Sequence, residues 1–170
     1  MKKVLTIFLL AICAVITATA QGPVDPVSWR ATAKMTSPNR GVITIRATIS
    51  KGWHLYGMTM PANGPKPTSF DFAGSTGVKF SGNVTPSKAP VKKHDEMFGT
   101  DVTYWENSVS FTRQFTVTDS SKAGITLQVS YMGCNDRTCS PPKTKKLTVK
   151  IPAYKKADGT TGTSPKSPTK

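Results

Sequence analysis

Cys134 and Cys139, with four residues between them, are the side chains here whose type and spacing bear chemistry. They lie in the stretch Tyr131-Met132-Gly133-Cys134-Asn135-Asp136-Arg137-Thr138-Cys139-Ser140-Pro141-Pro142. Such thiols can pair, exchange with other disulfides or bind soft metals, and the thiolate is the reactive form in each case. Ahead of them Ile125 to Tyr131 alternates apolar and polar residues, and Lys143 to Ile151 does so again afterwards, with the period of strands. Asn135 and Asp136 sit midway and favour a turn. The pattern predicts a hairpin whose arms begin at the two cysteines. Opposed residues of an antiparallel pair lie about 4.5–5.5 Å apart at Cα, within disulfide reach. A disulfide laid across the hairpin mouth, at an exposed tip, is therefore expected.

Such a bridge is either a staple or a reagent. On the chain-entropy account a ring of about six residues contributes about 2 kcal/mol, against about 4 kcal/mol for a ring of about sixty. A staple meant to hold two sheets together would join distant strands, whereas this pair ties a hairpin that the sheet already closes. The surroundings favour reactivity. Arg137 lies inside the ring and Lys143 and Lys145 follow on the exit arm, while Asp136 opposes them. Pro141 and Pro142 lack N–H donors, so strand pairing is interrupted just past Cys139. Cys139 should then stand at a stiff, partly open edge where in-line exchange is sterically possible. The rival of a different class is a non-enzymatic binding module with an inert structural disulfide. A metal carrier is a third reading: Cys134, Cys139, His54 and His94 offer sulfur and nitrogen to zinc, and Met58, Met60, Met97 and Met132 would suit copper. Neither histidine has close ligand spacing, and His54, between Trp53 and Leu55, reads as a strand residue with an ordinary partner. No metal or other cofactor is expected.

The chain that must position this pair has 170 residues and opens like an exported precursor. Lys2 and Lys3 precede an apolar run from Val4 to Ile16, and Ala18-Thr19-Ala20 forms a small-residue cleavage site, so residues 1–20 read as a signal peptide. The run is too short and wrongly flanked to span a bilayer, and no later segment is long and apolar enough. Cys13 leaves with the leader, and bulky Ile12 before it argues against a lipid anchor. The mature protein is expected to be soluble, periplasmic or otherwise exported, where an oxidising compartment permits a disulfide. Loss of Lys2 and Lys3 from 23 Lys and Arg leaves 21 against 9 Asp and Glu, an excess of 12 positive charges. Six lysines fall from Lys143 to Lys156. On an edge strand they discourage sheet-to-sheet aggregation; the alternative is attraction to an acidic partner or membrane surface. Nucleic acid is not expected, given export and the lack of a recognition motif.

About 150 mature residues suit one domain with a full core. Strands are expected over Val27 to Met35, Gly41 to Ile49, Trp53 to Tyr56, Thr68 to Phe72, Val78 to Phe80, Val102 to Trp105 and Val109 to Val117, followed by the two hairpin arms. Thr85 to Gly99 has little periodicity and reads as a long loop with an apolar tip at Met97-Phe98. The Gly, Thr, Ser, Pro and Lys composition from residue 153 to 170 reads as a disordered tail. Eight or nine short strands without a helical period predict an all-β fold, an immunoglobulin-like antiparallel β-sandwich over residues 21–152. The Cys…Trp…Cys pattern of antibody domains is absent.

Several segments together resemble the N-terminal periplasmic domain of the thiol:disulfide interchange protein DsbD family. They are Asp25-Pro26-Val27-Ser28-Trp29, Lys51-Gly52-Trp53-His54-Leu55-Tyr56, Gly64-Pro65-Lys66-Pro67-Thr68-Ser69-Phe70, Asp95-Glu96-Met97-Phe98-Gly99-Thr100-Asp101-Val102, and Gly133 to Pro142. The last, with its double proline, is the most specific, and the likeness covers nearly all of residues 25–151. It implies an immunoglobulin-like domain whose cysteine pair cycles between dithiol and disulfide. Electrons would come from an upstream membrane-linked reductase and pass to thioredoxin-like exported proteins of the disulfide-isomerase or cytochrome c maturation type. By position, Cys139 would attack the partner's disulfide and Cys134 would resolve the mixed disulfide. Asp95-Glu96-Met97-Phe98-Gly99 would be a cap over the pair, Asp95 and Glu96 would tune the thiols, and His54 and Tyr56 would line the site. Relatives often place an aromatic where Met97 stands, which predicts a softer lid here. Relatives also continue into a membrane-spanning electron carrier and a thioredoxin-like domain. This chain instead ends in its tail, which implies a separate shuttle, electrons from another polypeptide, or lost turnover.

Overall fold

Two-residue alternation sorts the strands of this chain into inner and outer faces. In β2 (Arg40–Ile49) the side chains of Ile43, Ile45, Ala47 and Ile49 are buried while Arg46 and Thr48 face water. The computed structural model describes residues 25–156, so the expected signal peptide and the tail from residue 157 onward lie outside the described residues. The remaining strands are β1 (Val27–Met35), β3 (His54–Tyr56), β4 (Ser69–Asp71), β5 (Val78–Pro86), β6 (Val91–Asp95), β7 (Thr100–Glu106), β8 (Ser108–Val117), β9 (Ile125–Tyr131), β10 (Gly133–Cys134) and β11 (Lys143–Val149). All pair antiparallel, in three sheets ordered β1-β2-β8-β5, β10-β3-β7-β6 and β11-β9-β4. The molecule is an all-β, immunoglobulin-like antiparallel sandwich.

The main core lies between the β1-β2-β8-β5 sheet and the other two. Ile43 and Ile45 of β2 and Phe111 and Phe115 of β8 meet Ile125, Leu127 and Val129 of β9, all of them fully or almost fully buried. Phe111 is the hub of its aromatic part, with ring centroids 4.8 Å from Phe70, 5.2 Å from Trp105 and 6.1 Å from Trp29. Each buried side chain of this size contributes about 1.5–3 kcal/mol of transfer free energy. Leu55 of β3 and Trp105 of β7 stand opposite each other in the register and both join this core. Their neighbours in sequence must therefore point the other way, and that outer face of the β10-β3-β7-β6 sheet carries the cysteine site.

Two local features differ from expectation. Thr85 to Gly99 is not a long loop: β5 runs on to Pro86, and β6 pairs with β7 from Val91↔Tyr104 to Asp95↔Thr100. The period was invisible because β6 is an edge strand whose Val91, Lys92, Lys93 and His94 are all exposed. In β5 a register shift between Ser81 and Thr85, with Gly82 at φ 66°, breaks the alternation. The arms of the cysteine hairpin also end earlier than expected, at Tyr131 and Lys143, which face each other in the β9–β11 register. Between them runs a separate excursion that contains β10.

A carboxylate near the start of the described chain ties down the base of this excursion. Tyr131 Oη donates to Asp25 Oδ2 at 2.8 Å, and Lys143 Nζ lies 3.5 Å from the same oxygen. Burial first, and the Asp25 hydrogen bond second, hold the Tyr131 phenol above its ordinary range. Lys143 is thus committed to Asp25 rather than free to serve the cysteines.

Candidate functional site

Met132 leaves β9, and the next two residues switch sheets to pair with β3, Gly133 opposite Leu55 and Cys134 opposite His54. Gly133 is required by a close approach: a Cβ there would lie 2.8 Å from Pro26 Cγ. The chain then doubles back. Asn135 N–H donates to the Thr138 carbonyl at 2.9 Å, and Asn135 Oδ1 accepts from the N–H groups of Arg137 and Thr138, both at 2.9 Å. Buried Ser140 donates its N–H (2.8 Å) and its hydroxyl (3.1 Å) to the Gly133 carbonyl. These bonds make Cys134 and Cys139 an isolated antiparallel bridge with Cα atoms 4.0 Å apart, joined by a disulfide.

The two sulfurs are not equivalent. Cys134 is only 1% exposed and packs with Tyr56 and Val102 in a second, smaller core on the outer face of the sheet. Cys139 is partly exposed at its rim. The exposed tip expected from the sequence is therefore corrected: one cysteine is sealed in and the other reaches the surface. The reason is tertiary, since β10 abandons the β9–β11 ladder for β3. Past the Ser140 bond to Gly133 the ladder stops at Pro141 and Pro142, which lack donors.

Over Cys139 lies the turn Glu96-Met97-Phe98-Gly99, which joins β6 to β7. Met97 Sδ is 3.4 Å from Cys139 Sγ, a van der Waals contact because a disulfide sulfur carries no hydrogen. The turn is organised by Asp95. Its Oδ1 accepts from the N–H groups of Met97 at 3.0 Å and Phe98 at 3.3 Å, and its Oδ2 accepts the Tyr56 hydroxyl at 2.7 Å. Gly99, at φ 60°, adopts the left-handed backbone that ends the turn. Phe98 turns inward, its ring edge-on to Tyr56 with centroids 5.9 Å apart. Tyr56 is itself fully buried and its backbone is fixed by Thr68, whose hydroxyl donates to the Tyr56 carbonyl at 2.6 Å. Burial, then the bond to Asp95, push the Tyr56 phenol far above its ordinary range, so it is a permanent donor. The carboxylate thus links the floor of the site to its cover.

Beside the disulfide is a pocket of about 420 Å³, whose walls include His54, Tyr56, Asp95, Met97, Tyr104 and Asp136. His54 stands between two rings, 5.0 Å from Tyr56 and 4.8 Å from Tyr104. Burial lowers its pKa, with Asp95, Asp136 and Glu106 pulling the other way. The ordinary partner expected for it is not there: Nε2 is buried without a hydrogen-bond partner among the described residues. His94, on the same pocket's wall, is paired with Asp101 at 3.2 Å. Among the described residues no three His, Cys, Asp or Glu side chains converge to hold a metal.

All eight residues singled out from the sequence fall in this one region. Cys134, Cys139, Met97, Phe98, Asp95 and Tyr56 form a contiguous set, His54 walls the pocket, and exposed Glu96 sits on its rim. Tyr104 and Ser140 were missed. Tyr104 could have been found from the alternation of Val102-Thr103-Tyr104-Trp105, which puts it on the face opposite Trp105. Ser140 carried no local signal, because its role depends on Gly133 across the ring.

A thiolate attacking Cys139 meets a sulfur that Met97 touches on one side, and the sulfur it expels is the sealed Cys134. The N-terminal periplasmic domain of ScsB from Proteus mirabilis has the same fold at a TM-score of 0.55 and 17% identity, over 74% of this chain and 46% of that one. The chain thus spans under half of that relative's length. The reduced Neisseria meningitidis DsbD N-terminal domain aligns at a TM-score of 0.44 and 17% identity, over 71% of this chain and 84% of that one. A structure of the complex between the DsbD N-terminal and PilB N-terminal domains of the same organism gives 0.45 and 16%, over 71% and 80%. No curated protein matches significantly. The profile of the family described as thiol:disulfide interchange protein DsbD, N-terminal, matches residues 23–151, and the chain belongs to that family.

Proposed function

We propose that this chain is an exported thiol–disulfide exchange module that passes reducing equivalents to periplasmic partner proteins. In the dithiol state the Cys139 thiolate attacks a partner's disulfide. A mixed disulfide forms and one partner sulfur leaves as a thiolate. Cys134 then attacks Cys139 Sγ, the internal disulfide closes and the second partner sulfur departs, so two electrons have moved. An upstream membrane-linked reductase resets the pair. Residues 1–20 serve as the signal peptide and 21–152 as the mature sandwich domain, and no helix among the described residues is long and apolar enough to cross a membrane. Exported thioredoxin-like proteins, of the disulfide-isomerase or cytochrome c maturation type, are the partners.

The observation that carries this reading is the asymmetry of the bridge, with Cys134 sealed and Cys139 partly exposed in contact with Met97. An exposed thiolate in an oxidising space would be lost to wrong partners, and the Asp95–Phe98 turn supplies an apolar lid against them. Asp95 holds that lid, with Glu96 at its rim, and His54 and Tyr56 line the floor. The test is capture. In Cys134→Ser, the Cys139 thiolate is expected to stall as a mixed disulfide with an exported thioredoxin-like protein, identified by mass spectrometry of the periplasmic fraction. Absence of any such adduct, with partner binding intact in the Cys134→Ser/Cys139→Ser double variant, would instead favour a binding module with an inert disulfide.

A further inference from the structure

The atom that covers Cys139 is itself oxidisable. Met97 is 52% exposed, whereas Met35, Met58, Met60 and Met132 are partly buried against the two cores. Its exposure follows from the turn: Asp95 pins the N–H groups of Met97 and Phe98, Phe98 is spent on Tyr56, and Met97 is left outermost. The same side chain holds its sulfur 3.4 Å from Cys139 Sγ. An accessible thioether in contact with a disulfide is a reactive combination, because thioether oxidation converts a flexible apolar side chain into a polar one.

We propose that Met97 is a peroxide-sensitive modification site, and that its sulfoxide form uncovers Cys139. In the chemical step the thioether sulfur donates an electron pair to a hydroperoxide. The O–O bond breaks, one oxygen stays on sulfur as the sulfoxide, and the other leaves as water (or an alcohol). The sulfoxide oxygen is a strong acceptor that loses its hydration if it stays packed against the disulfide. Met97 therefore turns into solvent and the path to Cys139 opens. Repair by a dithiol-driven sulfoxide reductase closes it again. This deepens the exchange function and rests on that reading for its biological consequence.

The test uses the full mature chain in its disulfide form, treated with hydrogen peroxide and mapped by peptide mass spectrometry. Met97 is expected to oxidise about tenfold faster than Met35, Met58, Met60 or Met132, in line with its exposure. Treated protein should then lose its disulfide to dithiothreitol about fivefold faster, as the open cap becomes the dominant state. Amide hydrogen exchange at Met97 and Phe98 should speed up in parallel. Met97→Leu, close in volume and without sulfur, should show no change on peroxide treatment. Oxidation of Met97 no faster than that of Met35, or unchanged cap exchange in the sulfoxide form, would overturn the proposal. Failure of the exchange function looks different: the untreated disulfide would resist dithiothreitol while Met97 still oxidised first and the cap still opened.

Discussion

Replacing Asp95 by Ala should release the cap without unfolding the domain. The carboxylate accepts two turn N–H groups, at 3.0 and 3.3 Å, and the Tyr56 hydroxyl at 2.7 Å. Capping of this kind is worth about 1 kcal/mol, and the Tyr56 bond adds about 0.5–1.5 kcal/mol net. Asp95 is only partly buried, so water replaces some of this in the open state. The closed cap should lose about 1–2 kcal/mol, a factor of about 5–30 in the population of the open form. If opening precedes attack, the disulfide should be reduced faster by that factor. The assay is pseudo-first-order reduction by dithiothreitol, quenched by alkylation and read by mass. Asp95→Asn keeps an acceptor for the turn and a polar group for Tyr56, so it should fall between. The closed cap is the native ground state, so the denaturant midpoint should fall by about that 1–2 kcal/mol divided by m, while the main core on the opposite face of the sheet keeps the domain folded. Reduction of Asp95→Ala within twofold of wild type, in a protein that remains folded, would refute the reasoning.

Three further outcomes follow from the packing. Phe111→Ala removes the hub between Phe70, Trp105 and Trp29 and should destabilise by about 3–5 kcal/mol in denaturant titration; a loss under 1 kcal/mol would mean the cluster is not the centre of the core. Gly133→Ala drives a methyl to 2.8 Å from Pro26 Cγ and should cost about 1–3 kcal/mol, unlike Gly52→Ala, where nothing lies within 4 Å and only the positive φ of 78° resists. For pH, burial holds His54 below its ordinary 6.5, so the unfolded chain binds the proton first as the medium acidifies. Stability is therefore complete above that value and is lost as the pH falls through it toward the folded pKa. His54→Phe should narrow the gap between denaturant midpoints at about pH 8 and about pH 5, and equal gaps in the two proteins would contradict the assignment.

The parts of this architecture that could be read from the chain are those whose pattern is local. Ile43, Ile45, Ala47 and Ile49 alternate with polar residues because one face of β2 is buried and the other wet. The pairing of Cys134 with Cys139 was legible because Asn135 supplies the turn between them from its own side chain. β6 was not legible, since all but its last residue face water and nothing imposes a period. Nor was the sealing of Cys134, which depends on His54, 80 residues earlier, as its strand partner. Asp95 and Tyr56 came into view through family likeness alone. Their hydrogen bond spans 39 positions, beyond any spacing rule. Lys143 shows the opposite error: nearness in sequence suggested a cation for the thiols, and Asp25 claims it instead.

The account rests on a bridge that opens and closes in use, and the reduction potential of the Cys134–Cys139 pair tests that most directly. Equilibrated against glutathione buffers and quenched with an alkylating agent, the pair is predicted to titrate well above about −300 mV, the level below which structural disulfides lie. A value below that level, with no exchange toward a thioredoxin-like protein, would contradict it.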